Sequence, residues 1–359
     1  MRKPFFHTPF ETKETAKVAK AINELGKARE PFFFLFDFLL EKPVIVPLKD
    51  WSEKMGMVST PIWSSEDSAL IQGTEESFSW ELNPVAFSHY QEIFSRVQQE
   101  IFYGNSYLLN FTQPTGIRTN LSLKEIFTQS ASKFKLFWND EFVSFSPERF
   151  VEVRGNTIFT HPMKGTISAG VPNAVETILN NEKEKAEHYT IVDLLRNDLS
   201  QVAKKVRVNK FRYLSEIETH KGPLLQVSSE ISGQLPENWR EYLGDWMITL
   251  LPAGSVSGAP KKKTVEIITN NEGYDRGYYT GIYGVFDGEN LDSAVAIRFL
   301  EKSSDQFIFK SGGGITALSK AEEEYQEMID KVYVPINRNH MHQGEKGTTS
   351  QVAPASIGV

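Results

Sequence analysis

A carboxylate and an amine lie sixteen residues apart in one short stretch of the chain, Ser146–Thr166. Between Glu148 and Lys164, two runs of β-branched and aromatic residues flank Gly155-Asn156, which is typical of a β-hairpin. A hairpin returns the chain to its starting neighbourhood, so the two groups could face one cavity. There they could act as a proton donor and a nucleophile. The alternative is an ordinary surface ion pair, which would contribute little.

Two pairs of glutamates have the spacing of neighbours on a helix face. Glu184 and Glu187 are three residues apart, and Glu324 and Glu327 repeat that spacing near the end of the chain. Magnesium binds few protein carboxylates and keeps positions open for water and a substrate anion. Carboxylate pairs on two helices therefore suit such an ion. Solvated helix charge paired with nearby lysines is the alternative.

A glycine run and two basic residues could bind an anion. The run Gly312–Gly314 is predicted to break a strand, and free backbone N–H groups in such a turn can bind an anion. Arg298 lies in the apolar run AVAIRF, which predicts a buried strand, and a buried arginine needs a carboxylate from the protein or from a substrate. Lys331 lies one turn beyond Glu327 and could add a second cation. A structural turn and a surface lysine are the alternatives.

Composition excludes several classes of function. The chain of 359 residues has no cysteine, so disulfides, thiolate zinc sites and cysteine nucleophiles are excluded. Its formal charge of −7, with no basic run, argues against nonspecific nucleic-acid binding. No apolar run reaches membrane-spanning length, and the N-terminus lacks the features of a signal peptide. We therefore expect a cytoplasmic protein that binds neither nucleic acid nor membrane.

The elements that must position these residues are helices mixed with strands of the antiparallel type. Apolar periodicity predicts helices over 87–103, 123–134, 181–199, 239–251, 261–270 and 320–334. Strands are predicted over 32–38, 43–48, 106–112, 136–145, 149–160, 204–211, 279–286, 294–299 and 306–311. This pattern predicts an α+β protein with sizeable sheets. We expect a catalytic body over 86–336, a short N-terminal subdomain over 1–85 and a disordered tail over 337–359.

The order of several motifs resembles the chorismate-utilising enzymes. The motifs are SPERF, HPMKGT, EKAEHYTIVDLLRNDL, PAGSVSGAPK, RGYYTGIYG, AIRF and SGGGITALSKAEEEYQE, and they cover about residues 85–335. The resemblance implies large mixed and antiparallel sheets packed as a β-sandwich with helices outside. PMKGT is most similar to aminodeoxychorismate synthase component I, since anthranilate synthase component I usually has alanine where this chain has Lys164. Leu108 stands where isochorismate and salicylate synthases carry a water-activating lysine, which disfavours a hydrolytic reaction.

The resemblance implies a role for each candidate residue. Lys164, desolvated and so partly neutral, would attack the chorismate ring, and protonated Glu148 would donate a proton to the departing hydroxyl. Mg²⁺ would hold the ring carboxylate of chorismate. The residues expected to hold Mg²⁺ are Glu187 and Glu327, with Glu184 and Glu324 in support. The residues expected to bind chorismate are Thr166, Ser255, Tyr279, Arg298, Gly313, Gly314 and Lys331.

The same resemblance implies the product and a partner. Ammonia would displace the lysine and give 4-amino-4-deoxychorismate, a precursor of 4-aminobenzoate and folate. It would come from a separate glutamine amidotransferase subunit, component II, because the chain shows no amidotransferase segment. The chain departs from the family at Gln226, where a histidine is common, and at Lys320 and Ala321, where an acidic residue and a proline are usual. Anthranilate synthase component I, another chorismate-utilising enzyme and a non-catalytic chorismate-binding protein are the alternatives.

Overall fold

The computed structural model describes residues 10, 12–66, 78–217, 222–304 and 306–336. The predicted tail over 337–359 lies outside the described residues. The helices are α1 Lys13–Ala28, α2 Phe87–Phe102, α3 Leu123–Gln129, α4 Ala174–Asn180, α5 Glu182–Ser200, α6 Leu243–Thr249, α7 Gly254–Ser257, α8 Lys261–Asn271 and α9 Ala321–Asp330. The strands are β1 Phe32–Phe36, β2 Val44–Pro47, β3 Gly56–Ser59, β4 Trp80–Pro84, β5 Leu108–Thr119, β6 Phe134–Trp138, β7 Phe142–Ser146, β8 Arg149–Arg154, β9 Thr157–Thr160, β10 Met163–Ser168, β11 Lys204–Ile217, β12 Leu224–Gln234, β13 Gly258–Ala259, β14 Ile282–Phe286, β15 Leu291–Val295, β16 Phe299–Lys302 and β17 Phe307–Ile315.

Within the described residues these strands form two sheets. The first has nine strands in the order β10-β12-β9-β8-β15-β14-β1-β2, with β11 also paired to β12. The second has eight strands in the order β13-β5-β17-β16-β7-β6-β3, with β4 also paired to β5. The described strand pairs are all antiparallel.

The two sheets pack face to face, and helices cover their outer faces. Phe33 and Leu35 of the first sheet share one apolar cluster with Leu136 and Phe299 of the second. The alternate residues of β1 point to the opposite face and pack among residues of α1, α5 and α6. Helices α2, α8 and α9 cover part of the second sheet, and α3 covers another part. The predicted α+β sandwich with outer helices is therefore confirmed, and β1, buried on both faces, is apolar throughout.

Several predicted elements have other bounds in the structure. The helix predicted over 123–134 ends at Gln129, and the strand predicted over 136–145 is two strands, β6 and β7. Asn139 and Asp140, both with positive φ, make the turn between them. The helix predicted over 239–251 is a short 3-10 helix followed by α6, and the last helix stops at Asp330.

Within the first 84 residues, the described segments contribute to both sheets. Strands β1 and β2 belong to the first sheet, and β3 and β4 belong to the second. Helix α1 packs on α6 through residues such as Ala19 and Ile22, which lie in the same cluster as Leu243. Among the described helices, none combines the length and apolarity needed to cross a membrane.

Candidate active site

The predicted hairpin is present and leads directly to the lysine. Strands β8 and β9 pair so that Arg154 lies opposite Thr157 across the turn at Gly155-Asn156. Gly155 has a φ of 61°, a conformation that glycine adopts without the steric cost of a side chain. Strand β10 follows at once, and Lys164 is its second residue. Because β9 and β10 both pair with β12, the hairpin carries the chain from β8 through β9 into β10 within one sheet.

Glu148 is held immediately before β8 by its neighbours. Its carbonyl oxygen accepts hydrogen bonds from the Val295 N–H and the Ser146 hydroxyl. Its carboxyl group accepts a hydrogen bond from the hydroxyl of Ser255, the second residue of the short helix α7. Burial raises the pKa of Glu148, and this effect exceeds the lowering by Ser255 and Arg298. A raised pKa suits a carboxyl group that must donate a proton.

Lys164 lines the same cavity as Glu148, and its charge is compensated by glutamates. Its Nζ lies 2.7 Å from a carboxylate oxygen of Glu187 on α5. Burial lowers the pKa of Lys164, but the carboxylates of Glu327, Glu187 and Glu184 outweigh burial and raise it above its usual value. The prediction of a partly neutral amine is therefore wrong for this state. The carboxylates that sequence reasoning assigned to a metal hold the lysine in its charged form.

The cavity that contains both groups has a volume of about 130 Å³. Leu108 lines it, at the position where the resemblance places a water-activating lysine in other enzymes. The other predicted site residues that line it are Ser255, Tyr279, Arg298, Gly313, Gly314, Lys331 and Glu187. Residues from both sheets and from α5 and α7 thus meet in one small space.

Thr166 lies outside this cavity, contrary to its predicted contact with substrate. Its side chain is exposed, and its hydroxyl donates a hydrogen bond of 3.1 Å to Oε1 of Gln226 on β12. The pairing of β10 with β12 shifts between Met163 and Thr166. Because of that shift, the side chains of β10 do not follow the simple alternation that the sequence suggests.

Glu184 and Glu324 each keep one carboxylate oxygen unpartnered, although Lys183 lies 3.6 Å from the other oxygen of Glu324. Each has a buried Oε2 atom without a hydrogen-bond partner in the described part of the chain. Burial raises the pKa of both carboxyl groups. Two glycines allow the close approach: a Cβ at Gly165 would lie 3.0 Å from Glu184, and one at Gly313 would lie 3.2 Å from Glu324. A cation at this place would satisfy the unpartnered oxygens.

The two predicted direct metal ligands are paired with lysines. Glu187 pairs with Lys164, and Glu327 lies 2.6 Å from Nζ of Lys331, which lowers the pKa of Glu327 to about 2. In the described ranges, no three Asp, Glu, His or Cys side chains form a ready-made metal cage. Magnesium needs only one or two carboxylates and keeps several waters. Two glutamates paired with lysines and two that each keep an unpartnered Oε2 atom therefore fit an ion that needs only one or two of them.

Arg298 occupies a bend and not the interior of a strand, so that prediction is wrong. It lies between β15 and β16 with a φ of 50°. Its guanidinium lies 4.6 Å from the centre of the Tyr333 ring. Its Nε–H is buried and has no hydrogen-bond partner within the described residues. A half-buried arginine with an unused, buried donor at a cavity wall is suited to an incoming carboxylate.

The glycine run Gly312–Gly314 continues β17 and does not break it, which corrects the predicted turn. A Cβ at Gly312 would lie only 2.0 Å from the carbonyl oxygen of Phe111 on the neighbouring β5. One at Gly314 would lie 3.1 Å from Leu108. Strand β16 begins opposite Lys310, so beyond that point the other edge of β17 has no strand partner among the described residues. The backbone N–H groups on this unpaired edge border the cavity and can bind an anion, which is the role that was predicted for a turn.

Sequence reasoning missed a buried ion pair that supports the cavity wall. Arg276 and Glu272 are 2.6 Å apart, and their side chains are 2% and 1% exposed. Arg276 also donates hydrogen bonds to the carbonyl oxygens of Asn110 and Val256, which line the cavity. The only sign of this ion pair in the sequence was the spacing of four residues between Glu272 and Arg276, near the end of a helix. It could not be distinguished from a surface pair, because burial is not visible in the sequence.

Comparisons with known proteins identify a family and a fold. A family profile described as chorismate binding enzyme matches residues 49–337. A PabA-like protein of Haemophilus influenzae is 54% identical over 314 residues, which are 88% of this chain and 95% of that protein. Aminodeoxychorismate synthase component 1 of Escherichia coli is 33% identical over 70% of this chain and 58% of its own length. The 2,3-dihydroxybenzoate-specific isochorismate synthase of Bacillus anthracis has a similar fold, with a TM-score of 0.66 at 20% identity over 88% of this chain and 86% of that chain.

Proposed function

The chain belongs to the family of chorismate binding enzymes, and on that basis we propose that it is an aminodeoxychorismate synthase component I. It would convert chorismate and ammonia to 4-amino-4-deoxychorismate and water. The observation that supports this most is that a buried acid, Glu148, and an amine, Lys164, line one cavity from different elements. The apolar side chain of Leu108 in the same cavity cannot activate water, which favours amination over hydration.

The proposed reaction proceeds through a bond between Lys164 and the ring. Lys164 must first lose a proton, which passes to solvent, because Glu187, 2.7 Å from its Nζ, is one of the carboxylates assigned to Mg²⁺. The free amine attacks C2 of the ring, the double bonds shift, and the C–O bond at C4 breaks. Glu148 gives its proton to the departing oxygen, so that water leaves. Ammonia then adds at C4, the bond to Lys164 breaks, and the original double bonds return.

Substrate binding in this proposal uses the charges around the cavity. The unused guanidinium donor of Arg298 and the open edge of β17 would meet one carboxylate of chorismate. Lys331, which already donates to Glu327 and the Gly312 carbonyl, adds positive charge at the same end. Glu187 and Glu327, with Glu184 and Glu324 in support, would hold Mg²⁺. A bound Mg²⁺ would supply a fixed positive charge for the ring carboxylate.

We also propose that the ammonia comes from a separate glutamine amidotransferase subunit. The chain contains no cysteine, so it cannot form the thioester on which a cysteine-dependent glutaminase relies. Free ammonium salts should replace that subunit in the test tube. Titration of glutamine-dependent activity with a purified glutaminase component would test the association.

The product identifies the reaction. The purified chain should convert chorismate, with Mg²⁺ and an ammonium salt, to a product with the mass of 4-amino-4-deoxychorismate, without release of pyruvate. Lys164→Ala should remove this activity, whereas Lys185→Ala, at a half-exposed lysine of α5 that pairs with Glu182, should retain it. Formation of anthranilate and pyruvate by the unaltered chain would contradict the proposal. Undiminished amination by Lys164→Ala would contradict the covalent mechanism.

A further inference from the structure

Strand β10 contains a bulge at the lysine that the proposed reaction uses. Met163 pairs with Ser228, and the next pair joins Thr166 to Gln226, so three residue steps on β10 oppose two on β12. The extra residue lies within 164–165. A bulge re-aims the side chains next to it, and bulges are common beside active sites. The direction of the lysine side chain therefore depends on whatever holds this bulge in place.

The side chain of Gln226 forms hydrogen bonds with Gly165 and Thr166, on one side of the bulge. Its Nε2 donates a hydrogen bond of 2.8 Å to the carbonyl oxygen of Gly165, whose φ is 93°. Its Oε1 accepts a hydrogen bond of 3.1 Å from the Thr166 hydroxyl. The side chain is only 6% exposed. The reverse orientation of the amide would place Oε1 against the Gly165 carbonyl, so the pair of bonds defines a single arrangement.

The ring of His188 contacts Lys164, on the other side of the bulge. Its Nδ1 lies 3.4 Å from the carbonyl oxygen of Lys164, and its Nε2 lies 2.7 Å from the Ser229 hydroxyl. That hydroxyl already accepts the N–H of Arg212, so its proton is free to point to Nε2. With that proton accepted at Nε2, the ring carries its own proton on Nδ1 and can donate it to the carbonyl oxygen of Lys164.

We propose that Gln226 and His188 are positioning residues that together form a clamp on the bulge and aim Lys164 into the cavity. One caps the carbonyl of Gly165 and the other caps the carbonyl of Lys164, which are the two residues at the bulge. The role of the clamp in turnover rests on the proposed function, whereas its role in directing the side chain does not. In this proposal, Gln226 helps to position Lys164 from the place where similar enzymes commonly have a histidine.

The kinetic test uses Gln226→Met, which keeps the length of the side chain and removes both hydrogen bonds. We expect kcat to fall about 10- to 100-fold, since a reacting group misplaced by about 1 Å loses about that much. KM for chorismate should stay within about threefold, because the substrate-binding groups are untouched. Ser215→Ala is the matched control: its hydroxyl reaches only the main-chain oxygen of Gln226, at 3.5 Å, so kcat should be unchanged. A rise in KM with constant kcat would overturn the proposal.

A second test does not depend on turnover. Acetic anhydride labels accessible lysines, and peptide mass analysis reports each site. Lys164 should be protected in the unaltered chain, and its labelling should rise about tenfold in Gln226→Met, the change expected from losing one or two hydrogen bonds. Labelling of Lys310, which is 4% exposed, should stay constant and so report intact folding.

If Gln226→Met does not fold, two His188 variants test the same clamp. The amide nitrogen of His188→Asn can replace the Nδ1 donor and should keep Lys164 protected, whereas His188→Leu should not. Unchanged labelling of Lys164 in His188→Leu, and in Gln226→Met where that variant folds, would overturn the clamp, whatever the kinetics show. Failure of the unaltered chain to aminate chorismate would overturn the proposed function instead and would leave the labelling result valid.

Discussion

Removal of the Arg276 guanidinium should cost the protein much of its stability. Arg276→Met would leave the Glu272 carboxylate, 1% exposed, with only the N–H and hydroxyl of Thr112 as hydrogen-bond donors. It would also leave the carbonyl oxygens of Asn110 and Val256 without this donor. Breaking a buried ion pair by removing one partner costs about 3–5 kcal/mol. Because a domain is stable by about 5–15 kcal/mol, the free energy of unfolding should fall by about a fifth or more.

Equilibrium unfolding in urea, followed by circular dichroism, measures this loss. Arg96→Met is the matched control, because Arg96 forms an exposed pair with Glu92 on α2 and should lose no more than about 1 kcal/mol. The double variant Arg276→Met with Glu272→Gln should lose less than the sum of the two single variants, since no charge is left buried alone. A loss below about 1 kcal/mol for Arg276→Met would refute this account of the cavity wall.

Three further predictions concern binding, proton transfer and the metal. Arg298→Ala should raise KM for chorismate about 10- to 100-fold, because a hydrogen bond to a charged group contributes about 1.5–3 kcal/mol. An unchanged KM in steady-state kinetics would contradict that role. Glu148 must be protonated to donate a proton, and burial raises its pKa. The value of kcat/KM should therefore fall as the pH rises through that raised pKa. A value of kcat/KM that keeps rising there would exclude Glu148 as the acid. EDTA should stop turnover and added Mg²⁺ should restore it, and Glu324→Gln should raise the Mg²⁺ concentration needed; full activity in EDTA would contradict the proposed metal site.

Elements with a strong local signal were predicted well. The turn at Gly155-Asn156 between two short β-rich runs identified the hairpin, because glycine at positive φ and β-branched neighbours act within a few residues. The helix predicted over 181–199 is α5, of the same length and shifted by one residue, because its apolar residues recur at helical spacing. These predictions needed no knowledge of distant contacts.

Features that depend on distant contacts were predicted less well. The glycines of Gly312–Gly314 suggested a turn, but a Cβ at Gly312 would clash with Phe111 on β5, and one at Gly313 would crowd Glu324 and Glu327. Arg298 looked like part of a buried strand, but the chain bends there to form the cavity wall. Such close approaches between segments far apart in sequence leave no local pattern.

The charge of Lys164 illustrates the same limit in electrostatics. Burial alone would favour a neutral amine, which was the prediction. The structure adds three carboxylates, those of Glu327, Glu187 and Glu184, and these reverse the effect. Their positions depend on how α5 and α9 pack beside β10 and β17, so the sign of the pKa shift could not follow from the sequence.

The most direct measurement is the mass of the protein during turnover. The chain would be mixed with chorismate and Mg²⁺, without ammonia, quenched in acid and analysed as intact protein and as peptides. We predict an adduct with the mass of chorismate less one water, on the peptide that contains Lys164, and its decay when ammonium is added before the quench. Lys164→Ala should show no adduct and no product. Steady amination of chorismate by Lys164→Ala, with no adduct on the unaltered chain, would contradict the central claim.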